Sequence, residues 1–180
     1  GMAELDWMVV RDCAETETAS FWKEGHLIRD GDMKPEDIGT EVFLMPACLA
    51  GEKDGTFTNT HRLLQWHDKV VEGPGDSRSE LWFVYHLGKR LKELYAGSTL
   101  ERDKPIRNLT WSYREMGPQC DPSAEDVLKE INGYTWVERK QLETVQEIKD
   151  DGSTACGCWI YCGVFPRQDH NQSRSRKPDG

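Results

Sequence analysis

The stretch EKDGTFTNTHRLLQWHDK, Glu52 to Lys69, gathers the side chains in this chain best suited to chemistry. Thr56, Thr58 and Thr60 bring hydroxyls, Asn59 and Gln65 bring amides, and Arg62 brings a guanidinium. Such a segment is too polar for a core strand and too rich in donors and acceptors for an idle linker. His61 and His67 are six apart and, with Asp68, could line one loop as a metal site, although a merely polar loop explains them as well. Three of the six cysteines, Cys156, Cys158 and Cys162, crowd into CGCWIYCG. Thiolate metal sites are usually built from paired C-x2-C knuckles, and here the spacing is C-x-C-x3-C with no second pair. Free thiols buried in a strand, beside the Trp-Ile-Tyr run, are the better reading.

Other catalytic patterns are missing from the sequence: there is no G-x-G-x-x-G, Walker loop, H-E-x-x-H or G-x-S-x-G. The acidic pairs Glu15/Glu17 and Asp150/Asp151 read as solvated charge. A net charge of -9 over 180 residues argues against nucleic acid as a partner, because binding phosphates needs a basic surface. The basic residues that do cluster lie in the tail RQDHNQSRSRKPDG, whose polarity reads as disorder. No apolar run approaches the ~18 residues that span a bilayer, so no direct membrane insertion is expected. Gly1 ahead of Met2 is expected to be the remnant of a removed tag, with no signal peptide behind it.

The elements that must position these residues form an α/β pattern with long irregular stretches. LDWMVVRD (5–12) and TEVFLMPAC (40–48) read as buried strands, and Pro46 closes the second. Between them ETETASFWKEG predicts a short helix ending at Gly25. PGDSRSELWFVYHLGKRLKELYAGS predicts the longest helix, capped at Asp76 or Ser77, with Leu81, Val84, Leu87, Leu91 and Leu94 as its apolar stripe. His86 on that helix reads as a packing residue. DPSAEDVLKEINGY predicts another helix from Pro122 or Ser123, and a turn at DDGS has one or two strands about it.

Taken together, the segment from Thr40 to Leu91 resembles the large subunit of molybdenum- or tungsten-dependent formate dehydrogenases, of the bis-molybdopterin-guanine-dinucleotide oxidoreductase family. The family pattern is a strand ending in L-P, an E-K-x-G-T-x-x-N-x-x-R-x-x-Q loop, a P-G-x-x-R-x-D-x-W turn and a helix. Pro46, Glu52, Lys53, Gly55, Thr56, Asn59, Arg62, Gln65, Pro74, Gly75, Arg78 and Trp82 meet it here, with Glu80 where the family has Asp. WMVVRDCAETETASFW and DDGSTACGCWIYCGVFP with NQSRSRKPD resemble flanking stretches of the respiratory, selenocysteine-type branch.

The resemblance implies a small parallel-sheet piece of a doubly wound cofactor-binding domain, with flanking helices and long loops. Residues 1–97 would end an α/β domain, 98–166 form a family insert of a helix and short strands, and 167–180 a disordered polar tail. It implies an oxidoreductase parent that oxidises formate to carbon dioxide at a molybdenum- or tungsten-bound molybdopterin guanine dinucleotide, passing electrons to an iron–sulfur cluster. The partners implied are the rest of the large subunit and its iron–sulfur subunit. The metal-ligating Cys or selenocysteine and the cluster cysteines have no match here, so the chain alone is expected to be inactive and to bind no cofactor. Within the parent, Glu52, Thr56, Asn59, Arg62 and Gln65 are the expected cofactor contacts, Gly55 letting the backbone turn or approach closely. His61 and His67, on which the pattern makes no demand, are expected to face solvent or stand behind the contacts. Two alternatives stand beside this: a loop that only orders packing between domains, and a stand-alone metal-binding or accessory module using Cys156, Cys158 and Cys162.

Overall fold

The computed structural model describes residues 1–58, 64–131, 133–142 and 147–155. The chain divides into two compact units, Gly1–Lys53 with Val71–Glu80, and Asp54–Val70 with Leu81–Gly180.

In the first unit, strands β1 (Trp7–Asp12) and β2 (Glu41–Pro46) run parallel, in register from Trp7 opposite Glu41 to Asp12 opposite Pro46. Helices α1 (Glu17–Glu24) and α2 (His26–Arg29) lie in the connection between them, so the expected crossover is present. Local chemistry explains α1: Glu17 sits in its first turn and Lys23 in its last, each suited to the helix dipole. Gly25 ends it by donating its N–H to Phe21 O at 2.9 Å, and a Cβ there would lie 2.4 Å from that oxygen. Ala19 and Trp22 of α1 share the lining of one cavity with Val42 and Leu44 of β2, which puts the helix on that face of the sheet. The opposite face carries Trp7, Val9 and Phe43, all exposed.

In the second unit, β3 (Gly55–Thr58) and β4 (Leu64–His67) form an antiparallel hairpin. Helix α3 (Glu80–Leu94) starts later than its sequence caps suggest. Backbone groups just before it are already in use: Arg78 N–H donates to Pro46 O at 3.1 Å, and Arg78 O accepts from Cys48 N–H at 3.0 Å. The expected apolar stripe is also not the buried face. Val84, Leu87 and Leu94 are exposed, whereas Tyr85 is buried. The Tyr85 side is held by polar contacts that a hydrophobic count does not register. Tyr85 Oη donates to Glu115 at 2.8 Å, Lys89 pairs with the same carboxylate at 2.5 Å, and Trp82 Nε1 donates to Gln119 O at 2.7 Å. His86 is a packing residue as expected, its Nε2 3.0 Å from Cys120 O and its ring against Trp82.

Beyond α4 (Lys104–Arg107), the two-residue strands β5 (Glu115–Met116) and β6 (Asp121–Pro122) pair across a turn. Helix α5 (Ala124–Ile131) follows. Ser123 caps it as expected, accepting the Asp126 N–H at 3.2 Å. Arg114 Nη2 clasps Asp126 at 2.7 Å, and this guanidinium holds the Asp126 carboxyl below the usual carboxylate range. Strands β7 (Tyr134–Thr135) and β8 (Thr154–Ala155) pair antiparallel, β8 following Gly152 of the DDGS turn at φ 80°.

Candidate cofactor-contact loop

The loop after β2 is anchored in the first unit. Ala47 continues the ladder by donating to Asp12 O at 3.0 Å and forms a parallel bridge with Arg78. Arg11 of β1 reaches the same place, its Nη2 donating to Arg78 O at 2.9 Å. A short 3-10 turn, Ala50–Glu52, follows, in which Glu52 Oε2 accepts the Leu49 N–H at 2.8 Å. Lys53 Nζ donates to Cys48 O at 3.0 Å and forms an ion pair with Glu80. Partial burial works to raise the Glu80 carboxyl, but the Lys53 ammonium, a backbone hydrogen bond and Arg11 together hold it below the usual range. The loop motif and the turn motif, separate in sequence, are therefore one clasp.

Two contributors to that clasp carry no signal in the sequence. Arg11 is, in the sequence, only a charge near the end of a strand. Gly73 and Gly75 flank Pro74, and a Cβ on Gly73 would lie 2.4 Å from Ser77 Oγ and 3.2 Å from Cys48 Sγ. No signal in residue type distinguishes it from Gly75; the fold does, since Gly73 is required by close approach and Gly75 by its left-handed backbone at φ 54°.

The hairpin lies in the second unit. Gly55 stands opposite His67, Thr56 opposite Trp66, Phe57 opposite Gln65 and Thr58 opposite Leu64. Successive positions of a strand alternate faces, so positions 56 and 65 fall on opposite faces of the ribbon. Asp54 secures the base by accepting the Lys69 N–H at 2.7 Å, and Trp66 Nε1 donates to Asp68 at 2.8 Å. His67 does not simply face solvent: it is half-buried, with its ring stacked on Phe57 at 4.5 Å. Gly55 has no left-handed backbone, so the close approach and not a sharp turn accounts for it. Asn59, Thr60, His61 and Arg62 lie outside the described residues, as do Cys156, Cys158, Cys162, the 167–180 tail and the side chains of Thr58 and Gln65. Among the described residues no group of three His, Cys, Asp or Glu could hold a metal ion.

Comparison with known proteins connects this loop to a family. The chain is 32% identical over 190 aligned residues to the nitrate-inducible formate dehydrogenase major subunit of Escherichia coli (strain K12), an alignment covering 99% of the chain. It is 33% identical over 183 residues, 96% of the chain, to the formate dehydrogenase 2 subunit alpha (cytochrome c-553) of Nitratidesulfovibrio vulgaris. This chain belongs to the formate dehydrogenase large-subunit family. The formate dehydrogenase subunit alpha of Megalodesulfovibrio gigas agrees, at 31% identity over 188 residues and 98% of the chain. The chain spans 17–18% of the length of these formate dehydrogenase subunits. No protein-family model matches the chain. The resemblance read from the loop and turn motifs is borne out at the level of the formate dehydrogenase large subunit, and the fold at the level of an α/β arrangement with a parallel strand pair.

Proposed function

We propose that this chain is a segment of a formate dehydrogenase large subunit whose hairpin loop contacts a bis-molybdopterin guanine dinucleotide carrying molybdenum or tungsten. Thr56, Asn59, Arg62 and Gln65 are the proposed contacts, and Glu52 is assigned with them from the same motif. The observation that carries this reading is the match of 99% of the chain to a formate dehydrogenase major subunit. Placement supports it, since the loop leaves the carboxyl end of the parallel strand β2, where ligands of α/β sheets bind.

The donor set fits the organic part of such a group. Phosphates, ribose hydroxyls and heterocycle edges ask for many oriented donors and acceptors, which amides, hydroxyls and a guanidinium supply. The ligands of the metal itself are assigned to the remainder of the subunit, because the metal-ligating Cys or selenocysteine that the resemblance implies has no match in this sequence.

In the intact enzyme formate loses one proton and two electrons to become carbon dioxide, and the metal–pterin group, when bound, supplies the electron acceptor. This chain's residues bind and orient. The clasp of Lys53, Glu80, Arg78 and Arg11 holds the loop base, and the hairpin register sets which side chains share a face. The proposed partners are the rest of the large subunit and its iron–sulfur subunit, with the electrons passing on to an iron–sulfur cluster. By itself the chain is inactive. Purified chain assayed with formate and an artificial dye is expected to show no turnover, and elemental analysis no stoichiometric molybdenum, tungsten or iron. Turnover accompanied by stoichiometric metal would overturn the proposal.

A further inference from the structure

We propose that His67 is a positioning residue, its imidazole locking the register of the β3–β4 hairpin by lying over Gly55 and stacking on Phe57. The functional meaning of the lock rests on the reading of this hairpin as a cofactor contact; the lock itself rests on geometry alone.

Residues directly opposite in an antiparallel pair share a face, and diagonal neighbours stay within reach of aromatic side chains. Gly55 is directly opposite His67, and Phe57 is its diagonal neighbour. The two rings lie 4.5 Å apart between centroids with 23° between their planes, an offset stack of the kind aromatic rings prefer. A Cβ on residue 55 would come 3.3 Å from His67 Nε2 and 3.8 Å from Cε1. A Cβ there asks the ring to give by a few tenths of an ångström, against its stack on Phe57, so glycine at 55 and the ring at 67 are matched halves of one contact. A slip of one residue would turn the imidazole to the other face and set Gly55 against a different partner. The Asp54 to Lys69 hydrogen bond closes the base but leaves the faces unspecified. The stack specifies them, and with them the opposition of Thr56 to Trp66 and of Phe57 to position 65.

The metal-ligand role that His67 could have played with Asp68 gains nothing from the structure. Asp68 accepts the Trp66 indole N–H, and no triple of ligating residues forms among the described residues. His67 acts instead through Phe57 and the empty volume over Gly55.

The test is a double-mutant cycle on the 180-residue chain, read by NMR. The His67 ring protons are expected upfield of their ordinary positions, returning to them in Phe57→Ala. Gly55→Ala is expected to speed hairpin amide exchange at least about fivefold in the His67 background. In the His67→Ala background the same substitution should leave exchange unchanged or slow it, because alanine is no longer opposed by the ring. His67→Phe, which keeps a ring, should retain protection that His67→Ala loses. An equal effect of Gly55→Ala in both backgrounds, or a His67 signal indifferent to Phe57→Ala, overturns the proposal. Cofactor loading of a full-length relative carrying Gly55→Ala separates the two readings. Normal loading beside an intact coupling leaves the lock standing and removes the hairpin as a cofactor contact.

Discussion

Asn59 and Arg62 are the residues on which the functional proposal depends most. An amide and a guanidinium can fix an anionic, multi-acceptor ligand by oriented bonds, and losing one bond to a charged group costs about 1.5–3 kcal/mol. That is roughly a tenfold to hundredfold loss of affinity. In a full-length homologue carrying this loop, Asn59→Ala and Arg62→Ala are expected to lower cofactor occupancy or turnover at least about tenfold. His61→Ala, at a position on which the motif makes no demand, should change either by less than about threefold, as for an ordinary surface substitution. Occupancy and turnover like the parent's in both the Asn and Arg variants would make the loop structural. The motif already contains structural members: Lys53 is tied to Cys48 O and Glu80, and Glu52 holds the Leu49 amide.

At the scale of the element, α3 shows local propensity and tertiary packing pulling in opposite directions. Gly88 sits inside the helix, where alanine is better by about 1 kcal/mol on propensity. Yet a Cβ at this position would lie 2.3 Å from Trp111 Cζ3 and 3.2 Å from Leu109 Cδ2. The indole is packed against the helix at Gly88, and overpacking a well-filled contact costs about 1–3 kcal/mol. Packing wins, so Gly88→Ala should lower the urea midpoint despite its better propensity. The double variant Gly88→Ala with Trp111→Ala should lose no further stability from the alanine at 88. A Gly88→Ala chain more stable than its parent would show that Trp111 moves aside at no cost.

For the molecule as a whole, apolar surface is left without cover. Trp7 is 63% exposed and Phe43 41%, on the face of the parallel pair opposite α1. Parallel strands are ordinarily covered on both faces, and Leu94 of α3, 64% exposed, belongs to a second open apolar row. Patches of this kind bind hydrophobic dyes in water. The purified chain is therefore expected to enhance the fluorescence of an anilinonaphthalene dye in its folded state, and Trp7→Ser with Phe43→Ser to reduce it with little change in thermal midpoint. Dye binding unchanged by that pair would place the apolar surface elsewhere. The net charge of -9 opposes association of copies through these patches at low salt and is screened as salt rises.

The strands, the crossover helix and the start of α5 were legible in the sequence because their causes are local. Apolar β-branched runs, Gly25 at a helix end and Ser123 at a helix start act over a few residues. The loop and turn motifs were legible as well, as a spacing of residue types that resembles formate dehydrogenase large subunits, the family to which the comparison over 99% of the chain also leads. What the motif residues do was decided by the tertiary structure. Lys53 meets Glu80 across 27 positions, Arg11 reaches Arg78 across 67, and Gly73 is required by the close approach of nearby Ser77 and of distant Cys48. The buried side of α3 is not legible in the sequence for the same reason. A helix's periodicity shows that it has an apolar stripe, but which side is covered depends on what arrives from elsewhere. Here Trp111 and Glu115 arrive on the Gly88 and Tyr85 side. Burial is a property of pairs, and only the folded chain chooses the partner.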